Sequence, residues 1–364
     1  MIALPQSSPR PGSAILGLGA YEPSRVISND QMCQWIDSSD EWIRQRTGIV
    51  ERRWAEPHET ILAMAASAAQ RALDHAGLTG DQLDGVIVAT VTHLEQTPAL
   101  AVRLAGALGC GPCPAWDISA ACAGFCYGLA QADALVRSGV LGHVLVVAGD
   151  RLSDMTDLTD RSTAFLFADG AGAAVVGPSP SPRIGPVVWG SDPAQGPTIG
   201  QTLDWAEAVS QGRPAHLRMD GQPVFRWATT AMADATRRIM ADSGLTPDQL
   251  DLFVPHQANN RITDSMLRHL RLPESVQVAR SIQRLGNTSA SSIPLAIDQL
   301  YRAGQVKEGA TCLMVGFGAG LVYAGQVALL PAPATPARDQ NQSPAAPERP
   351  AAPATEPPTL PHQQ

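Results

Sequence analysis

Apolar residues recur at three- and four-residue intervals through ETILAMAASAAQRALDHA (59–76) and again through RWATTAMADATRRIMADS (226–243), the spacing that turns one face of a helix toward a core. Each stretch runs into a glycine turn, at Gly77 and Gly244, and then into a short apolar run, DGVIVAT and LFVPHQ, which predicts a strand buried in a parallel sheet. The turn itself is repeated. GLTGDQLD and GLTPDQLD differ only at Gly80 and Pro247 and lie 167 positions apart. The same offset carries LGHVLVVAGD at 141 onto EGATCLMVGFG at 308, again strand-like, with Gly142 falling on Gly309. Two matches at one offset predict an internal duplication. The alternation of helix and strand predicts an α/β protein of two βαβ-rich halves with right-handed crossovers, packed about a pseudo-twofold axis.

Under that offset Cys122, in DISAACAGFCYG, falls on Ser289, in LGNTSASS. PAWDIS reads as a strand and CAGFCYGLAQADALVR as a helix, which puts Cys122 at a strand-to-helix turn, where ligands of such sheets collect. A thiol at a helix N-terminus feels a partial positive charge, so its pKa is expected to fall toward the thiolate. Cys126, one turn later, reads as a buried spacer. His256, in FVPHQANNR, follows an apolar strand, and Asn287 lies in a glycine-flanked turn. An imidazole and a carboxamide aimed at one oxygen supply the donors an enolate or thioester oxyanion needs. Each also has a plain reading: a strand-end histidine is commonly a core or surface residue, and a Gly-Asn turn selects Asn for its backbone. Cys110 and Cys113, in GCGPCP, match the spacing of a redox dithiol, but prolines flank Cys113 and a strand follows instead of a helix.

Composition narrows the class. Of 364 residues 44% are hydrophobic and 16% charged, with a formal charge of −8, which suits a large packed core and disfavours a general nucleic-acid or membrane-surface role. Six cysteines in this length argue against a secreted disulfide scaffold. The start, MIALPQSSPRPGS, resembles no leader, and no segment approaches the roughly 20 apolar residues of a membrane span, so a cytoplasmic protein is expected. From Pro331 the chain is Pro, Ala and Gln with few large apolar residues, which predicts a disordered tail. The expected organisation is a flexible start (1–13), a half carrying the nucleophile (14–178), a half carrying His and Asn (179–330) and the tail (331–364).

Taken together, DISAACAGF, PHQANNRI, GNTSASS, GFGAGL and SSDEWIRQRTGI resemble, in order, the bacterial β-ketoacyl-acyl-carrier-protein synthase III family of thiolase-fold condensing enzymes. The resemblance spans about Ala14 to Leu330. It implies a thiolase-like fold, two duplicated halves in a five-layered αβαβα arrangement, and a homodimer. It implies an acylated nucleophile at Cys122 completed by His256 and Asn287, with backbone N–H groups of Cys122 and Ala319 forming an oxyanion hole and Phe317 beside the thiol. The reaction it implies takes an acyl group from acyl-CoA onto Cys122 and condenses it with decarboxylating malonyl-acyl-carrier protein, with no metal or redox cofactor. CoA contacts carried over by motif are Trp42, Arg46, Arg161, Asn259 and Gly221, with Gln222 standing where related enzymes often have Asn; a core aromatic is the other reading of Trp42. For the acidic carrier protein, Arg226, Arg261 and Arg268 are the candidate docking residues, the last two being seven apart on one helix face. A solvated face is the other reading of that spacing. Thr97, where many acetyl-specific relatives carry an aromatic, predicts a wider acyl pocket for branched or longer primers. A same-fold acyltransferase that loads a starter unit without condensing is the alternative, and it has no need of Asn287.

Overall fold

The computed structural model describes residues 7–334. The first half runs through strand β1 (Gly12–Tyr21), the hairpin strands β2 (Arg25–Ser28) and β3 (Glu51–Trp54) with helices α1 (Asn29–Met32) and α2 (Asp40–Thr47) between them, then α3 (Ile61–Ala76), β4 (Gly85–Ala89), α4 (Leu100–Ala107), β5 (Ala115–Ile118), α5 (Gly124–Arg137), β6 (Val144–Arg151) and β7 (Asp169–Ser179). The second half follows with β8 (Val188–Ser191), β9 (Ile199–Gln201), α6 (Trp205–Gln211), β10 (Leu217–Met219), α7 (Gly221–Asp242), β11 (Leu252–Pro255), α8 (Asn260–Leu270), β12 (Gln277–Val278), α9 (Ile282–Leu285), α10 (Ser292–Arg302), β13 (Thr311–Gly318) and β14 (Val322–Leu329).

The duplication is written in the sheet order. One five-stranded sheet runs β1-β7-β6-β4-β5 and the other β8-β14-β13-β11-β12, the same sequence of corresponding strands. In each, two strands pair parallel with the central one that opens the repeat, β4 with β5 and β6, β11 with β12 and β13. The repeated turns are the same object twice: a left-handed glycine (Gly77, φ 67°; Gly244, φ 66°), a threonine capping box to Gln82 or Gln249, and one 3-10 turn.

Side chains alternate across each strand, which lets one sheet feed two cores. In β4, Val86 and Val88 pack with α3 and α4, while Ile87 and Ala89 pack with α5 and α10. In the second sheet Leu252 and Val254 of β11 face that same central pair of helices, and Phe253 faces α7 and α8. The layers are therefore α3/α4, sheet, α5/α10, sheet, α7/α8, the expected αβαβα arrangement. The first sheet uses residues 12–179 and the second 188–329, and both lie in one compact unit that reaches Pro333.

Three expectations are corrected at the edges. Residues 7–13 are not loose: the Arg10 N–H donates to Arg137 O at 2.7 Å, its guanidinium donates to Leu141 O at 2.7 Å, and β1 already begins at Gly12. The first tail residues are also held, Pro331 O accepting from the Tyr301 hydroxyl at 2.8 Å and Ala332 O lying 2.7 Å from His75 Nε2; residues 335–364 lie outside the described chain. The repeat slips by one residue midway. Strands β4 and β11, and β6 and β13, begin 167 positions apart, but α5 and α10 begin 168 apart, as do the 3-10 turns Ala121–Ala123 and Ser289–Ser291 before them. Each turn opens on a left-handed non-glycine residue, Ala121 (φ 44°) and Ser289 (φ 55°). Ser289 is thus the counterpart of Ala121, and Cys122 answers to Ala290.

Candidate active site

Cys122 sits in the 3-10 turn that links β5 to α5, so the regular helix starts two residues later than the sequence suggested, at Gly124. The turn is pressed against β13. A Cβ on Gly318 would lie 2.9 Å from both the Cβ and the backbone N of Cys122, and one on Gly316 would lie 2.9 Å from Ala123 Cα. Only glycine lets strand and nucleophile meet so closely. The thiol keeps some surface toward the cavity but is packed on every other side. That burial pushes its pKa up to about 12, against a smaller downward pull from the Ser289 hydroxyl. Burial thus moves the thiol in the direction opposite to the lowered pKa expected of a helix N-terminus.

His256 directly follows β11, its backbone N–H donating to Val315 O at 2.8 Å. Its ring meets the Phe317 ring edge-on at 5.3 Å between centroids, and its Nδ1 lies 2.7 Å from Ser292 Oγ. Only 3% of the residue is exposed, and burial lowers the imidazole pKa to about 3, so the ring is neutral. Asn287 is reached through Gly286, whose φ of 72° suits glycine and whose missing side chain admits Arg52 and Ala168. The Asn287 backbone is pinned to the first half, its N–H donating to Leu166 O at 2.9 Å and its carbonyl accepting from Ala168 N–H at 2.8 Å. Its Oδ1 accepts from the Ser289 N–H at 3.0 Å, which leaves the Nδ2 group as the free donor of the amide.

Cys122, His256, Asn287, Phe317 and Ala319 line one cavity of about 640 Å3. Its wall also takes Gln201, Trp205, Leu217 and Met219 from the segment between β9 and β10, and Val224 and Trp227 from α7. On the other side it is held by Asp150, whose Oδ1 accepts from Val91 N–H at 2.8 Å and from the Thr90 and Thr92 hydroxyls at 3.1 Å. Asp150, Ser292 and the close-packing role of Gly316 and Gly318 were not singled out from the sequence, and Ser289 was named only as a repeat counterpart. GFGAGL carried a glycine signal, but a contact between residues nearly 200 positions apart has no local signature.

Trp42 stands with both partner arginines, the Arg46 and Arg161 guanidiniums each 5.7 Å from its ring centroid. A base slotted between Trp42 and Arg161 needs about 7 Å, two van der Waals contacts of roughly 3.5 Å, so the exposed Arg161 must swing away from the ring, and from Asp37 at 3.6 Å, to admit one. Other handles sit less well. Asn259 uses its Oδ1 to cap α8 on the Arg261 N–H at 2.8 Å, and Gly221 is the exposed first residue of α7; their neighbours Ala258 and Val224 reach the cavity instead. Thr97 is exposed and does not line the cavity within this chain, to which Gln96 and Ala99 of the same loop contribute. Arg226 lies in the second turn of α7; Arg261, stacked on Phe225 at 5.3 Å, and Arg268 lie on α8. All three are exposed on the outer layer, and among the described residues none is in an ion pair. Cys126 is fully buried in the central core. The Cys110–Cys113 pair follows the C-terminal end of α4, and burial, then Cys113, raises the Cys110 thiol to about 11, the opposite of a reactive redox dithiol.

Comparison with known proteins agrees with this geometry. Residues 116–193 match the family described as 3-oxoacyl-[acyl-carrier-protein (ACP)] synthase III, and residues 240–329 match its C-terminal region. The chain is 51% identical over 323 residues to the beta-ketoacyl-[acyl-carrier-protein] synthase III of Streptomyces glaucescens, covering 88% of this chain and 97% of that protein. It is 49% identical over 344 residues to a Streptomyces coelicolor protein of the same name, covering 91% and 100%. Among solved structures, the priming beta-ketosynthase of a polyketide biosynthetic pathway superposes with a TM-score of 0.88 at 48% identity, over 91% of this chain and all of that one. The Aquifex aeolicus 3-oxoacyl-[acyl-carrier-protein] synthase III does so with a TM-score of 0.81 at 37% identity, over 88% and 100%. The chain therefore belongs to the β-ketoacyl-acyl-carrier-protein synthase III family of acyl-transferring condensing enzymes.

Proposed function

We propose that this condensing enzyme works through Cys122, His256 and Asn287, transferring an acyl primer from CoA to Cys122 and condensing it with malonyl-acyl-carrier protein to begin a fatty-acid or related polyketide chain. The observation that carries the reading is the convergence of these three side chains, from three separate segments, on one cavity. In the first half-reaction the Cys122 sulfur attacks the acyl-CoA carbonyl, the N–H groups of Cys122 and Ala319 hold the oxyanion, and CoA leaves as its thiol, taking up the proton the cysteine gave up. In the second, malonyl-carrier protein loses CO2. The enolate oxygen rests between donors from His256 and Asn287, both neutral in this site, while the enolate carbon attacks the thioester and releases the Cys122 sulfur as a thiolate, which takes up a proton from water to restore the thiol. Decarboxylation supplies the driving force, and the atoms balance without a metal or redox cofactor.

Arg46 and Arg161 around Trp42 suit the phosphates and base of CoA, and the unpaired arginines of α7 and α8 suit an acidic carrier protein. Among the described residues strand β5 pairs with β4 alone and ends its sheet, and such an edge can join that of a second copy, which suits a homodimer. No helix among the described residues is long and apolar enough to cross a membrane, in keeping with work in the cytoplasm.

The test is to incubate the protein with radiolabelled acyl-CoAs, map the labelled peptide, and then add malonyl-carrier protein. Cys122→Ala is expected to abolish labelling. Asn287→Ala is expected to accept label and make little ketoacyl product. A variant at Asn287 that condenses normally would remove the amide from the mechanism.

A further inference from the structure

Ser292 opens α10 with 1% of its surface exposed and touches no substrate-facing atom of the reaction just described, yet its hydroxyl meets the histidine. Its Oγ lies 2.7 Å from His256 Nδ1 and 3.3 Å from the backbone N of Gln257. A backbone N–H only donates, so toward Gln257 the hydroxyl is an acceptor. That N–H is not free to turn elsewhere: the buried Gln257 side chain donates to Pro255 O at 2.7 Å and Ala279 O at 3.2 Å, and accepts from Ile282 N–H at 3.3 Å. The hydroxyl has one proton, and among the described residues His256 Nδ1 is its one partner able to accept it. The opposite assignment, Nδ1–H donating to Oγ, would leave a buried hydroxyl proton with no acceptor, the arrangement native interiors avoid.

We infer that Ser292 is a positioning residue that fixes the tautomer of His256, donating to Nδ1 so that the ring proton sits on Nε2 and faces the cavity as a hydrogen-bond donor. The inference rests on the proposed role of His256 as a donor to the enolate. Phe317 against the ring edge and Ser292 on Nδ1 together hold the imidazole plane, and burial keeps the ring neutral, so the site presents an N–H without a charge. Without the hydroxyl, the proton is free to move to Nδ1, and Nε2 then offers a lone pair to an oxygen that is itself gaining negative charge. That change damages the decarboxylative half-reaction and spares acyl transfer to Cys122.

The test uses the whole protein labelled with 15N-histidine, with the His256 signal assigned by its loss in His256→Gln. In the unmodified protein at pH 7 the nitrogen shifts are expected to report Nε2–H; an Nδ1–H ring overturns the inference without any variant. Ser292→Ala is expected to give a mixed or Nδ1–H ring and a condensation kcat down roughly 10- to 100-fold. Its KM for malonyl-carrier protein and its rate of Cys122 acylation are expected to stay within a few fold, the acylation also showing that the fold is intact. Ser292→Thr, which keeps the hydroxyl, is expected to restore the Nε2–H signature. Ser292→Ala with an unchanged tautomer and unchanged condensation overturns the role of Ser292. His256→Gln that condenses normally instead overturns the donor role of His256, so the two failures are told apart.

Discussion

At Cys122 two physical effects oppose each other, and their balance is measurable. The helix N-terminus favours a thiolate, but packing on all sides except the cavity raises the thiol to about 12. We expect the rate of Cys122 alkylation by iodoacetamide, taken as the difference between the protein and Cys122→Ala, to climb about tenfold per pH unit from 7 to 9 as the thiolate fraction rises. A plateau below pH 8 would mean that the helix field wins. That Cys122, His256 and Asn287 belong to one cavity was legible through the family resemblance of three short words of chain, each with its own local geometry: SAACAG at a strand-to-helix turn, PHQ after a strand, GNTS after a glycine. Ser292, Asp150 and the thiol's own pKa were not, because each depends on what packs against it from distant segments.

At the level of elements, the candidate site is shaped by β13 lying on the Cys122 turn. Gly318→Ala places a methyl 2.9 Å from the Cys122 backbone N, where no flexible side chain can give way. We expect a loss of about 1–3 kcal/mol in stability and, with the sulfur displaced on the scale of an ångström, roughly a hundredfold loss in acylation rate; wild-type acylation by Gly318→Ala would show that the turn and strand can part at no cost. The helix-turn-strand units were readable from periodicity and capping residues, and both appear with the same left-handed glycine and the same box. The one-residue slip before α10 was not readable, because the matching words of sequence all lie in the strands and turns that keep the 167 offset.

Across the whole molecule, the neutral His256 ties activity to acid stability. Its folded pKa is about 3 and its value in an unfolded chain is about 6.5. Between these the unfolded state binds the extra proton, so the stabilisation is complete above pH 6.5 and is lost as pH falls toward 3. We expect the unfolding free energy between pH 6 and 4 to fall more steeply in the protein than in His256→Asn, by up to about 1.4 kcal/mol per pH unit; denaturant titrations giving equal slopes would show that His256 is not held neutral. The two-half architecture was legible because a duplication repeats its own hydrophobic pattern, and the five layers through the family resemblance. The anchoring of Arg10, Pro331 and Ala332 was not, since it rests on single contacts to Arg137, Leu141, Tyr301 and His75.

The carboxamide of the second half hangs from the backbone of the first, through its paired bonds to Leu166 and Ala168. Any clamshell motion that parted the two sheets would tear that anchorage and dismantle the site it was opening. With the centre held shut, the parts of the cavity wall left to vary are those farther out, among them the β9–β10 segment and α7, and we expect changes in which chains the enzyme takes to come from reshaping that wall and not from loosening the frame.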